Sequence, residues 1–202
     1  GSAAYKIGGL PPRVMRRLTQ LIWLGLGVAI GAQILALLQQ SSAFFGADYG
    51  AVLSERLWEV VRGGTRFGQV WNVRMLALVS VALLLILAWF YRADSPIWVW
   101  SAWSAAVPAL GLALATSSVI SHAPGSRAEP WVALFLDWAH LTAAGFWAGG
   151  LAALAGVLPV ALAPLDAEAR RLAIVAALRR YSPYAAAALV LIIGSGIFSA
   201  AL

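Results

Sequence analysis

The sequence predicts an all-α, polytopic transmembrane helix bundle, and three observations predict it. Of 202 residues, 62% are hydrophobic and 11% are charged, whereas a soluble domain runs nearer half apolar and about a quarter charged. So few charges cannot cover a folded surface in water, and lipid removes that requirement. The apolar residues also gather into five runs near the roughly 20 residues needed to cross about 30 Å of hydrocarbon. Finally, the basic residues cluster beside those runs rather than within a polar domain.

The first span is expected over 18–38, entered through Arg16-Arg17 and left through Gln39-Gln40-Ser41-Ser42. The second is expected over 75–91, bracketed by Arg74 and Arg92. The third, 97–120, has Pro96 at its start and Pro108 inside it, a kink that neighbouring helices can tolerate. The fourth, 131–162, is long enough to tilt or protrude. The fifth is expected over 184–202, in one transmembrane domain covering 1–202. No polar anchor follows Leu202, which predicts that the natural chain continues past it.

Between the first two spans, Val52, Leu53, Leu57, Val60 and Val61 share one helical face, with Glu55, Arg56 and Glu59 largely off it. This stretch is too short and too charged to span. It reads as an interfacial amphipathic helix that Gly63-Gly64 ends. Small residues recur within the spans, and Gly27-x-x-x-Gly31 and Gly145-x-x-x-Gly149 match the close-packing pattern of membrane helices.

The formal net charge is +6. Its placement beside apolar runs fits topology signals and lipid headgroups, and no basic stretch is interleaved with aromatics as nucleic-acid binding would need. With five spans, one side collects Lys6, Arg13, Arg16, Arg17, Arg92, Arg170, Arg171, Arg179 and Arg180. The other collects Arg56, Arg62, Arg66, Arg74 and Arg127. The bias predicts a cytoplasmic amino terminus, with the first loop and the loop after the third span outside. The absence of cysteine excludes disulfides and thiolate chemistry. No enzyme reading follows: Ser182 and the other serines lack a paired base, and no phosphate-cradling loop is present.

An ionisable residue inside a span is expensive and therefore a functional candidate. The fourth span holds Asp137 and His140, whose i, i+3 spacing puts them on one face. Trp147 lies seven residues further along that stripe. His122 follows the third span, and Met75 opens the second on the same expected outer side. His140 is about nine residues into its helix, roughly 14 Å along the axis, so the spacing permits an approach to His122 without requiring it. Imidazole, carboxylate and thioether suit copper better than calcium or magnesium, while two histidines and a carboxylate also suit zinc or iron. The structural alternatives are a hydrogen-bonded Asp137–His140 pair that stabilises the bundle, a loop histidine at 122, and apolar filling by Met75.

The run Asp137-Trp-Ala-His140-Leu-Thr-Ala-Ala-Gly-Phe-Trp147-Ala-Gly149-Gly150-Leu151 resembles the signature helix of the CopD family of bacterial copper-resistance and copper-uptake membrane proteins: an acidic residue, a histidine, then Trp-x-Gly-Gly-Leu. Thr65-Arg-Phe-Gly68 through Arg74 is similar to the family's Thr-x-Phe-Gly…Arg helix start. Ser121-His122-Ala123 is similar to its Gly-His-Ala segment, with Ser in place of Gly. Tyr181-Ser182 through Gly194 resembles its Phe-Ser…Thr-Gly helix, with Tyr and Ile-Gly as departures. The ordered set covers residues 65 to 196.

The resemblance implies a bacterial inner-membrane protein that handles copper with a periplasmic partner of the CopC type. It makes His122 and His140 copper ligands, Asp137 a ligand or orienter, and Trp147, Gly149 and Gly150 supporting residues. Members usually have more than five spans, which agrees with a chain continuing beyond Leu202. With only Met15 and Met75 as methionines, a thioether relay for Cu(I) is not supported, and the oxidation state of the copper stays open. The leading expectation is copper taken from the periplasmic side and moved into or across the membrane. The alternatives are an accessory membrane subunit with a CopD-like fold and no metal, and a haem electron carrier with His122 and His140 as axial ligands.

Overall fold

The computed structural model describes residues 11–91, 96–121 and 130–201, so His122 lies outside the described residues. Those residues form seven helices and no strand. In order they are α1 (Pro12–Phe45), α2 (Tyr49–Ser54), α3 (Leu57–Gly64), α4 (Arg66–Tyr91), α5 (Pro96–Ser121), α6 (Pro130–Leu162) and α7 (Ala167–Ala201).

The helix ends follow local chemistry. Proline opens α1, α5 and α6, where its missing N–H removes one of the orphan donors of a first turn. Gly46, at φ 63°, ends α1 in the left-handed conformation that glycine adopts without a Cβ penalty. Asp48 caps α2 by accepting from the Gly50 and Ala51 amides at 2.8 and 3.0 Å. Asp166 caps α7 by accepting from the Ala169 amide at 2.8 Å.

Each long helix runs past the apolar stretch that announced it. α7 begins at Ala167, so the basic segment before Tyr184 is helical as well. α4 begins at Arg66, so Arg74 lies within the helix. Among the described residues, four helical stretches are long and apolar enough to cross a membrane: Pro12–Phe45, Arg66–Phe90, Leu134–Leu162 and Ala167–Phe198. α5 is a helix of 26 residues, about 39 Å at 1.5 Å per residue. Its described side chains give a shorter apolar stretch, Ser104–Thr116.

The segment expected as one amphipathic helix is helical in two pieces. Arg56, at φ 58°, is left-handed and breaks the chain between α2 and α3. Its amide donates to Leu53 O at 3.4 Å and its carbonyl accepts from the Glu59 amide at 2.9 Å, so it closes one helix and opens the next. Gly63-Gly64 fall inside α3, which ends at Thr65 in extended conformation.

The chain divides into two compact units. The first comprises Gly1–Trp23 with Pro124–Leu202, and the second Leu24–Ala123. In the second unit, α3 and α5 pack on α4, and Leu37, Val61 and Trp71 form a buried cluster with Trp58, Phe67 and Met75 against it. In the first, α6 packs on α7. The start of α1 meets α6 at Gly156, where Leu21 lies against the bare backbone and Arg17 Nε donates to Gly156 O at 3.2 Å. Large apolar side chains such as Leu24 and Leu35 on α1, Leu76 and Phe90 on α4, and Val190 and Ile197 on α7 remain exposed. A water-soluble surface rarely carries that much contiguous apolar area, and a lipid-facing one requires it.

The glycines that matter for packing are not those the spacing singled out. A Cβ added at Gly27, Gly31, Gly145 or Gly149 would meet nothing within 4 Å. A Cβ at Gly68, Gly150 or Gly156 would run into a neighbour at once. A repeat of small residues marks a smooth face, but the partner decides which face is used.

Candidate functional site

Asp137 and His140 both lie on α6, one turn apart and half-buried. His140 is held by α7. Its Nδ1 lies 3.1 Å from Ile192 O and 2.9 Å from Ser195 Oγ. A carbonyl oxygen can only accept, so these contacts require the proton on Nδ1. Ser195 Oγ spends its own hydrogen on the Leu191 carbonyl, which leaves its lone pair for His140. The other ring nitrogen, Nε2, therefore keeps its lone pair in the neutral imidazole. Gly196 faces the ring edge: a Cβ there would sit 3.9 Å from His140 Cε1. An imidazole whose N–H is fixed on a carbonyl and whose other nitrogen is a free donor is the arrangement of metal-ligating histidines. Asp137 adds a carboxylate one turn earlier, at the 5–6 Å Cβ spacing of about one helical turn. The donor set fits a borderline cation such as copper or zinc.

Further along α6, Trp147 and Gly150 meet α7 through Tyr181. The Tyr181 hydroxyl donates to Trp147 O at 2.7 Å, and its ring occupies the place a Gly150 Cβ would take. The Trp-x-Gly-Gly stretch is thus a docking notch for one tyrosine, with Gly150 as the contact and Gly149 on open surface. Thr142 Oγ1, two residues beyond His140, is buried with no hydrogen-bond partner among the described residues.

Met75 sits in the other unit, packed against the Leu37, Val61 and Trp71 cluster. His122 lies outside the described residues. Among the described residues no group of three His, Asp or Glu side chains gathers at metal-holding distance. The structure therefore brings Asp137 and His140 to one helix face and joins His140 to Ser195.

Sequence reasoning missed a second polar cluster. Arg74 donates from Nε to Thr116 Oγ1 at 2.9 Å and from Nη1 to Gln33 Oε1 at 3.0 Å. Trp71 Nε1 donates to Gln33 O at 2.7 Å. This ties α1, α4 and α5 together inside a span, where a charged side chain costs about 2.5–3.5 kcal/mol on insertion scales. The available signal was a polar residue inside each apolar run, Gln33 in the first and Thr116 in the third.

The Thr65-Arg-Phe-Gly68 stretch resolves into a corner. Thr65 Oγ1 accepts from the Gly68 amide at 3.0 Å and donates to Val61 O at 2.6 Å, capping α4 while closing α3. The carbonyls of Val61 and Arg62 press on Gly68 where a Cβ would be, and Asn72 Nδ2 donates to Arg62 O at 3.3 Å. Phe67 packs into the apolar cluster beside Trp71.

Long apolar helices, lipid-facing side chains and polar clusters confined to helix contacts define a polytopic α-helical membrane protein. Residues 1–129 match the family model described as the copper resistance protein D-like, N-terminal domain. The chain belongs to that family, and it is a copper-related membrane protein by that membership. The matched stretch contains the Thr65–Gly68 corner, Arg74, Met75 and His122, while Asp137, His140 and the Trp147–Gly150 notch lie beyond it. No curated protein and no solved structure matches the chain.

Proposed function

We propose that this chain binds copper as cargo from the periplasmic side and passes it into or across the bacterial inner membrane, with His140 as the principal ligand. The observation that carries this reading is the tautomer of His140: Nδ1–H is committed to Ile192 O and Ser195 Oγ, and Nε2 is left as a donor. Asp137 supplies the second donor or orients the first. His122 is a further ligand in this proposal, and Met75 an outlying thioether. Family membership favours copper over zinc or iron.

In the same reading α5 also crosses the membrane, as the third of five spans, the amino terminus is cytoplasmic, and α2 and α3 lie at the outer interface. A periplasmic copper-binding protein of the CopC type would deliver the ion to that outer side.

Metal analysis of the purified chain after copper loading tests the proposal. Stoichiometric copper is expected in the wild type. It should be lost in His140→Ala and reduced in His122→Ala and Asp137→Asn. Ser195→Ala should weaken binding about 10–100-fold, the usual penalty for removing a partner of a metal-bound histidine. A wild-type chain that stays metal-free after loading sinks the reading, and a Soret band would replace copper with haem.

A further inference from the structure

We propose that the open face of α6 between α7 and the start of α1 docks one anionic phospholipid, its phosphate held by Arg17 and Arg180. This face lies within one compact unit. It uses neither Asp137 nor His140 and does not rest on the copper reading.

Two helices meet α6 on different faces. Tyr181 of α7 occupies the space over Gly150, and Leu21 of α1 lies against Gly156. At about 100° per residue, these two glycines face directions about 120° apart. Helices that pack at about 8–10 Å then leave the axes of α1 and α7 about 14–17 Å apart, more than a helix diameter of about 10–12 Å. The α6 face between them is uncovered. Phe146 and Gly149 are exposed, and a Cβ at Gly149 would meet nothing within 4 Å. Tyr184 marks its α7 border, with its ring centroid 6.5 Å from that of Phe146.

Charge defines the headgroup end. Arg180 is exposed and stands one turn before Tyr184, so it borders the same face. On the α1 side, Arg17 donates from Nε to Gly156 O at 3.2 Å. That bond anchors the guanidinium, and its two Nη groups have no acceptor among the described residues. The levels of Gly150 and Gly156, where Arg180 and Arg17 stand, are about 9 Å apart along α6, a span that two arginine side chains can close around one phosphate. The starts of α1 and α7 carry three and four arginines against Asp166 and Glu168, and no ion pair neutralises them among the described residues. Surplus positive charge selects an anionic headgroup over a zwitterionic one. The exposed Phe146 and Tyr184 rings continue from the arginines toward the middle of the span, where acyl chains cover them and a soluble phosphate would not.

The test uses the full chain in detergent, stripped of lipid and given an equal mixture of phosphatidylglycerol and phosphatidylcholine, with bound lipid counted by native mass spectrometry. The first lipid retained by the wild type should be phosphatidylglycerol. Arg17→Gln and Arg180→Gln should each weaken its binding about fivefold, the effect of one basic residue at an anionic headgroup. Gly149→Phe keeps every charge, fills the open face and should lose the lipid too. Arg179 points about 160° away from Tyr181 around α7, so Arg179→Gln should leave binding unchanged. If Arg17→Gln does not fold, Arg180→Gln carries the test, because Arg180 bonds no protein group among the described residues. Unchanged binding in Arg180→Gln, or an equal loss in Arg179→Gln, overturns the site in favour of a diffuse basic belt. Equal retention of phosphatidylcholine overturns the anionic class. Displacement of the lipid by inorganic phosphate alone overturns the lipid as occupant.

Discussion

At Gly150 the side chain is a single hydrogen, and the Tyr181 ring fills the space where a Cβ would stand. The same ring carries the hydroxyl that donates to Trp147 O at 2.7 Å. Gly150→Ala must push the Tyr181 ring aside and break its bond to Trp147 O, a net loss of about 0.5–1.5 kcal/mol. The variant should therefore unfold at lower temperature than Gly149→Ala, which carries the same gain in helix propensity without the clash. The effect belongs to the pair, so it should shrink strongly when Tyr181 is already alanine, as a double-mutant cycle would read. An equal loss in both backgrounds would show that Gly150 matters for some other reason. Gly149→Ala is the internal control, since its Cβ meets nothing within 4 Å.

At the scale of elements, the α3–α4 corner depends on Thr65. Its hydroxyl caps α4 through the Gly68 amide and binds the Val61 carbonyl, so two helix ends share one side chain. Thr65→Ala should cost about 0.5–2 kcal/mol, the range for a lost N-cap. Hydrogen exchange at the first amides of α4 should quicken, while Thr65→Ser should restore protection. Unchanged exchange in Thr65→Ala would assign the corner to the Phe67–Trp71 packing alone.

This corner also marks how far the sequence could be read. The long helices were legible because their apolar runs match the thickness of a bilayer, and the corner was visible as a motif. Its geometry was not, because Gly68 is required by carbonyls of another helix. The break at Arg56 was illegible for a similar reason: nothing in an arginine announces a positive φ. That α4 already includes Arg74 was not legible, because a charge beside an apolar run looks the same whether the helix starts there or earlier. At the site, Asp137 and His140 stood out as ionisable residues in an apolar run. Ser195 did not, since its pairing with His140 joins residues far apart in the chain and depends on how α7 lies against α6.

At the scale of the whole molecule, the number of crossings decides which side each end of α6 faces, and α5 decides that number. α4 and α5 are of equal length, 26 residues each. They run antiparallel, since Arg74, early in α4, bonds Thr116, late in α5. In the proposed topology α5, packed on α4, is the return crossing. α5 carries no Asp, Glu, Lys or Arg to prevent it. Five crossings put the α6–α7 turn on the same side as the amino terminus, which the proposal makes cytoplasmic, whereas four would put it on the opposite side. The chain has no cysteine, so single-cysteine variants report without background. In intact cells, Tyr49→Cys, at the start of α2, should react with a membrane-impermeant maleimide added outside. Ala163→Cys, in the α6–α7 turn, should react only after the membrane is permeabilised. Outside labelling of both positions would remove α5 from the membrane and turn the His140 helix over, and would overturn the side from which copper is proposed to reach the site.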